Sequence, residues 1–532
     1  MKRFAAFVAL AAGTILVSAT AAPQPGSRLV LLIAIDQFRY DYLTRFRAEF
    51  KDGFERLLTQ GAVFSDANLE HYPTVTAVGH ATMLSGATPA VSGIIGNDWF
   101  DRESGRTITS VSDERVTPLG APTGEPASPH RLLVTTIGDE IKLASQAAQG
   151  SRAVPRVFGI SLKDRSAILA VGRGADGAYW FDTKSGAFVS STYYGATAPA
   201  WLDEFNNRHL ADSYAGQWWK LLQGSGAGTM LPAQLGQPLY NALTGSPYGN
   251  ELLLALSDVV ITREQLGQRG VTDLLSISFS SNDGVGHTFG PDSAEVRDIT
   301  VKTDAVIGRL LSRVDKLVGL QNTIVAFTTD HGVAPVPEAL VERRLPGGRM
   351  QNPLLFDAIQ EGLERRYGPG KWLMATAGSS PYLNYELMRN MDAADVRRVA
   401  ADAARTVPHV ARVYTRDQLL HGGVGTDRID QRVLRGFNAA RSGDLEIVLE
   451  PYWIRGTNRA THGSPYNYDA HIPLVLMGPG IKPGAYSQRV ALNDLAPTLA
   501  TLLKVEIPGG SSGRILSEAL QPEQPTTRRT DR

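Results

Sequence analysis

Asp283 lies four residues before His287, and Asp330 directly before His331, each pair just beyond a run of apolar residues. A third apolar run ends in Asp36, and His462 precedes a fourth. Carboxylate oxygens and imidazole nitrogens suit divalent ions of intermediate softness. Six such ligands at one sheet edge could hold two ions, and zinc is the ion this donor set suits. The chain has no cysteine, so thiolate is excluded both as a ligand and as a nucleophile. Two ions about 4 Å apart suit phosphoryl transfer, because they can serve the attacking and leaving oxygens together. A single Asp–His pair fits a solvated loop equally well, and His462 alone decides nothing. Two pairs together with Asp36, all at strand ends, point to metal.

Residues 71–81 end an extended run and open a helix, with Thr76 near its N-cap. The plain reading is a capping threonine. The same geometry offers free N–H groups and a positive helix end to a phosphate, and zinc could bind the hydroxyl as an alkoxide. Lys163 and Arg165 follow a further apolar stretch and, taken alone, fit an exposed basic strand end. Gly96-Asn97 taken alone fits a turn. His71 and His80 flank Thr76 and suit supporting or structural roles. His130, His209, His409 and His421 have no motif around them, and His471 adjoins the last apolar run.

The elements that must position these groups alternate. Continuous apolar runs at 29–35, 156–162, 274–279, 323–328 and 472–477 read as strands buried on both faces of a parallel sheet. Helical spacing falls at 38–58, 133–147 and 294–318, and the loop 280–290 carries Asp283 and His287. The fold class expected is α/β, a largely parallel central sheet sandwiched by helices, with a smaller inserted α+β cap. Ligands of such sheets bind outside the carboxyl ends of the strands, where Asp36, Lys163, Asp283 and Asp330 all fall. Residues 172–194 read as a hairpin, 392–404 as a helix and 444–449 as a strand. Insertions forming the cap are placed at roughly 165–250 and 383–453, within a catalytic domain over 23–520.

With 53 acidic and 53 basic residues in 532, the formal net charge is zero. No polybasic block is present, which leaves nucleic acid without electrostatic support as a stable partner. Residues 1–22 read as a cleavable leader: Lys2 and Arg3, an apolar stretch over 4–17, then Ala19-Thr20-Ala21. A retained anchor is the alternative, but the apolar stretch is shorter than the roughly 20 residues a span needs. A periplasmic or secreted protein with no membrane span in the mature chain is therefore expected. The polar residues 521–532 read as a disordered tail.

The ordered set Asp36, Thr76, Asn97, Lys163-Asp164-Arg165, Asp283 with His287, Asp330-His331 and His462 resembles the alkaline phosphatase superfamily. More narrowly, it resembles the bacterial phosphate-irrepressible alkaline phosphatases with a threonine nucleophile. The likeness spans about residues 29–516 and includes Tyr72-Pro73-Thr74-Val75-Thr76, Gly96-Asn97-Asp98-Trp99 and Asp494-Leu495-Ala496-Pro497-Thr498. It implies two zinc sites, one of Asp283, His287 and His462 and one of Asp36, Asp330 and His331, with Thr76 as a further ligand. It implies that Asn97, Lys163 and Arg165 grip the non-bridging phosphate oxygens, and that small phosphate monoesters are hydrolysed through a phosphothreonine. Two cations at the grip suit a monoester dianion better than a diester monoanion. A nucleotide pyrophosphatase/phosphodiesterase, which shares the metals and the threonine, is the nearest alternative. An exported zinc-binding protein with a dead site is the alternative from another class. A sulfatase is disfavoured because position 76 is neither Cys nor Ser.

Overall fold

The run Leu29–Ile35 forms strand β1, and every one of its residues is buried. Its alternate side chains divide between two cores: Leu29, Leu31, Ile33 and Ile35 face one, and Val30, Leu32 and Ala34 the other. A strand covered on both faces has no polar side to alternate with, which is why its sequence is unbroken apolar. Each such side chain contributes about 1.5–3 kcal/mol by leaving water.

The computed structural model describes residues 27–147, 153–222, 226 and 228–522. The leader expected over 1–22 lies outside them, as does the tail expected over 521–532 apart from Gln521 and Pro522. Around β1 the central sheet adds β2 (Ala62–Asn68), β3 (Pro118–Leu119), β4 (Val157–Ser161), β5 (Gly177–Asp182) and β6 (Ala187–Ser191). It continues with β7 (Asp273–Phe279), β8 (Thr323–Thr328), β9 (His471–Met477) and β10 (Gly484–Ala491). The ten strands are ordered β10-β2-β9-β8-β1-β7-β4-β5-β6-β3. Only β9 and β6 run against the others.

Helix Ala294–Leu317 covers one face through Val296, Ile299, Val306 and Leu310. Helix Leu495–Leu503 covers the other through Leu495, Ala496 and Leu499. The α/β layering expected from the sequence is what the chain adopts. No helix among the described residues is long and apolar enough to cross a membrane.

Three expectations need correction. The helix expected over 38–58 is broken into Asp41–Arg45, a short 3-10 turn at Arg47–Glu49, and Gly53–Gln60. The break has a distant cause: the Asp304 carboxylate accepts the backbone N–H groups of Lys51, Asp52 and Phe54 at 2.7, 3.0 and 2.5 Å, holding the second helix as a separate start. Asp283 and His287 lie on a helix, Ser281–Phe289, and not on a loop. The strand expected at 472–477 as part of a parallel sheet, β9, is antiparallel to β8.

Of the 165–250 region expected as a cap, β5 and β6 are in the main sheet, as the hairpin expected at 172–194. In the 383–453 region, strands Val410–Thr415 and Leu445–Leu449 pair antiparallel. They pack with helices Asn352–Tyr367 and Ala393–Arg405 on a separate hydrophobic core containing Leu355, Ile359, Val396, Val413 and Ile447.

Candidate active site

The register of β1 brings most of the ligating residues together. Ile35 stands opposite Phe279, and Ala34 opposite Thr328. The next residues of the three parallel strands, Asp36, Ser280 and Thr329, therefore emerge at one edge. Helix α1 (Thr76–Ser85) and helix α2 (Ser281–Phe289) start at this edge. His462 reaches it by the opposite logic. Because β9 is antiparallel, the segment before its first residue lies where its neighbours end.

Two clusters of ligand atoms result, each with its members within 4.8 Å of one another: Asp36, Asp330 and His331, and Asp283, His331 and His462. The first matches one implied set. The second differs from the implied set in holding His331 where His287 was expected. His287 Nε2 is nevertheless 3.2 Å from Asp283 Oδ1, one helical turn along α2, and His462 Nε2 is 3.7 Å from that same oxygen. His331 stacks on His462 at 3.5 Å between ring centroids and so stands between the two clusters.

The other ring nitrogens are committed to backbone carbonyls: His287 Nδ1 to Ala460 at 2.9 Å, His331 Nδ1 to Gly332 at 2.9 Å and His462 Nδ1 to Thr74 at 2.9 Å. A carbonyl can only accept, so each Nδ1 carries a proton, and in the neutral ring it is Nε2 that offers its lone pair toward the cluster.

The electrostatics show a carboxylate set short of positive charge. Burial, reinforced by the Asp330 carboxylate, raises the Asp36 carboxyl well above its usual range. Burial would also raise Asp283, but Lys163 and His287 hold it well below. Asp330 is likewise held low against burial, by His331, His80 and Lys163. Burial lowers His331 and, further, His462, which has His331 and His287 beside it. Burial opposes the charge on Lys163, yet Asp283 and Asp36 raise its ammonium. Its Nζ bridges Asp36 Oδ2 and Asp283 Oδ2 at 2.6 Å each. Asp36 Oδ1 and Asp330 Oδ2 are buried and accept no hydrogen bond.

Thr76 opens α1 after an extended Val75, and its Oγ1 lies 3.4 Å from His331 Nε2. Asn97 comes beside it, its Oδ1 accepting the backbone N–H of Ala77 at 2.9 Å. Lys163 and Arg165 flank Asp164 at the start of the helix Asp164–Leu169, just past β4. Arg165 leaves its buried Nε without a hydrogen bond. Helix α1 approaches the first of these ligand clusters very closely: a Cβ at Gly79 would stand 2.4 Å from the Asp330 carbonyl oxygen.

Sequence reasoning missed Gln37. Its backbone N–H donates to Asp330 Oδ1 at 3.2 Å and its side-chain amide to Asp283 Oδ1 at 2.7 Å, so it ties the two clusters together. It does so from a left-handed backbone, φ 59°; only its place after Asp36 could have drawn notice. His80, left as supporting or structural, bonds the Thr76 carbonyl through Nδ1 at 2.9 Å and Ser278 Oγ through Nε2 at 2.8 Å. Its Nδ1 also lies 3.3 Å from Asp330 Oδ2. His71 is fully buried with neither ring nitrogen bonded, and burial, with Arg432 nearby, lowers it to about 3. His471 turns away from the clusters, stacking on Tyr40 and contacting the Ser65 carbonyl.

A family model described as type I phosphodiesterase / nucleotide pyrophosphatase matches residues 30–469. The chain is 33% identical to alkaline phosphatase PafA of Elizabethkingia meningoseptica, over 94% of this chain and 95% of PafA. It is also 33% identical to alkaline phosphatase PhoV of Synechococcus elongatus, over 93% of each. The crystal structure of wild-type PafA superposes with a TM-score of 0.85 at 30% identity, covering 94% of this chain and all of that one. PafA has also been crystallised with a threonine, an asparagine, a lysine and an arginine replaced.

Proposed function

The chain belongs to the type I phosphodiesterase / nucleotide pyrophosphatase family, within the alkaline phosphatase superfamily, and is a phosphatase. On that premise we propose that it is an exported enzyme that hydrolyses phosphate monoesters through a phosphothreonine at Thr76, with two zinc ions as cofactors. The observation that carries this reading is the Thr76 hydroxyl at a helix start, 3.4 Å from His331 Nε2, with Asn97 on the same helix start and Lys163 bridging Asp36 and Asp283.

The residues present fit a pair of divalent ions. Asp36 Oδ1 and Asp330 Oδ2 are buried acceptors without a hydrogen bond of good geometry, His80 Nδ1 coming no nearer than 3.3 Å to the latter. The Lys163 ammonium bridges carboxylates from both clusters, which marks a place where positive charge is wanted. With no thiolate available, oxygen and imidazole donors remain, and zinc takes both. Asp36, Asp330, His331 and Thr76 would hold one ion, and Asp283, His287 and His462 the other. When bound, the pair supplies Lewis acidity at the attacking and leaving oxygens.

The chain's own groups do the rest. Thr76 Oγ1 attacks phosphorus in line with the departing ester oxygen. Asn97, Lys163 and Arg165 hold the non-bridging oxygens, the two cations matching the dianion of a monoester. His80 and Gln37 fix the Thr76 carbonyl and the carboxylates so that the attacking oxygen is held in place. Water then cleaves the phosphothreonine from the side the alcohol has left. The four residue types replaced in the PafA variant are the four of this proposal. Export rests on the leader read over 1–22.

The test is turnover of the full mature chain on p-nitrophenyl phosphate and bis-p-nitrophenyl phosphate, with zinc measured on the same sample. Monoester preference, about two zinc ions per chain and loss of turnover in Thr76→Ala are expected. Full turnover by Thr76→Ala would remove the nucleophile. Preference for the diester would replace the proposal with the phosphodiesterase reading that the family description carries.

A further inference from the structure

A cavity of about 480 Å³ runs from Asn97 and His462 to the inserted region, where its far wall holds Glu446, Trp453 and Arg455 together with Phe356. A monoester held with its phosphate at Thr76 must send its alcohol somewhere, and this cavity is continuous with the phosphate end of the site. Its volume lies in the range of small-molecule sites.

The far wall carries two charges that do not pair with each other. Arg455 donates to the Gly378 carbonyl and to Ser379 Oγ, both at 2.6 Å. Glu446 receives only the Ser380 hydroxyl among the described side chains. Burial raises its carboxyl to about 7, an effect that the Ser380 hydroxyl and the Arg455 guanidinium offset only in part. A carboxylate and a guanidinium on one wall, held apart, are costly unless hydrogen-bonding partners complete them. Above about pH 7, where Glu446 is ionised, their charges cancel, so at the alkaline pH of the reaction the wall favours neither a cationic nor an anionic guest. Half-buried Phe356 adds an apolar face beside these polar groups, and half-buried Trp453 adds the part of its ring that the stacked His409 does not cover.

We propose that this wall is a leaving-group subsite for a neutral polyhydroxylated ring, whose hydroxyls donate to Glu446 and accept from Arg455 while its apolar face lies against Trp453 or Phe356. The substrates it selects are sugar-borne phosphate monoesters, with the ring carried either by a monosaccharide or by a nucleoside. The proposal rests on the phosphatase reading of Thr76 and deepens it. The hairpin made by Leu373–Ala377 and Ser380–Leu383 belongs to the same device. Its turn residues Gly378 and Ser379 are gripped by Arg455, and Ser379 Oγ is also held by the Tyr72 hydroxyl at 2.6 Å, four residues before the nucleophile. The subsite wall and the Thr76 segment are thereby fixed to one another.

The experiment compares glucose 6-phosphate with n-hexyl phosphate, a primary alkyl ester without ring hydroxyls, on the full zinc-loaded protein. A polar site rejects the analogue that leaves its buried groups unpaired. At least about a tenfold higher kcat/KM is therefore expected for the sugar ester, expressed mainly in KM, with the ratio falling toward one in Glu446→Gln. Adenosine 5′-monophosphate as a third substrate separates the two ring sources. Equal kcat/KM for the sugar and hexyl esters in the wild type overturns the proposal. A preference for phosphocholine over both also overturns it, since that would make the wall a cation site. Calorimetric binding of the same two esters to Thr76→Ala needs no turnover: tighter binding of the sugar ester supports the subsite, and equal binding refutes it. Absence of p-nitrophenyl phosphate turnover in the wild type counts separately, against the phosphatase reading.

Discussion

Lys163 and Arg165 are separated by one residue yet meet different surroundings. The Lys163 ammonium is drawn between two carboxylates, whereas the Arg165 Nε is buried and unbonded. If both grip the phosphate, removing either should cost more with a dianion than with a monoanion. Lys163→Ala and Arg165→Ala are each expected to lower kcat/KM on p-nitrophenyl phosphate by about 10²–10³. The loss on bis-p-nitrophenyl phosphate should be smaller, and parallel kinetics on the two esters decide it. These residues were legible in the sequence because they follow strands, and buried parallel strands announce their ends by the last apolar residue. Gln37 and His80 were not legible in the same way. Gln37 works through a left-handed backbone and two carboxylates from far along the chain, and His80 through contacts with Ser278 and Asp330 that no local pattern encodes.

At the scale of elements, the close approach of α1 to the end of β8 is what brings the Thr76 hydroxyl to His331. Only a residue without a Cβ permits it: Gly79→Ala would place a methyl group 2.4 Å from the Asp330 carbonyl oxygen and 2.5 Å from its Cβ. Backbone cannot yield as a flexible side chain can, so α1 must shift. A loss of about 1–3 kcal/mol is expected in urea unfolding of the full chain, together with weaker zinc binding, since Asp330 is displaced with it. The strands themselves were legible from their apolar runs. The continuity of the first helical region was not, because Asp304, some 250 residues later, supplies the carboxylate that restarts it. Nor could the run at 472–477 show its direction, since an apolar strand reads the same in either orientation.

For the whole molecule, two solution measurements follow. Carboxylates gathered at one sheet edge repel one another, so anything that neutralises them in the folded chain alone must stabilise it. Excess chelator is expected to lower Tm, by an amount corresponding to about 2.7 kcal/mol for each ion removed where free zinc had stood at a hundredfold that site's Kd. Asp469 provides the pH dependence. It is fully buried, and burial raises its carboxyl from the ordinary 3.8 to about 7. The folded chain therefore keeps a proton that the unfolded chain releases, and this group's contribution is complete below about 3.8 and lost as pH rises through about 7. Asp469→Asn, which has no proton to lose, should melt above the wild type at pH 8, with the gap closing at pH 5. The antiparallel strand β9 carries a last consequence, for the order of assembly. Strand β2, made near the beginning of the chain, is joined to the sheet only by lying between β9 and β10. It must therefore wait, unpaired on both edges, until nearly the whole polypeptide has been synthesised. His462 arrives with that same late segment. The nascent chain thus passes through most of its production without a complete ligand set, and a chain shortened before residue 462 would lose β9, the β10 sheet edge and His462 together.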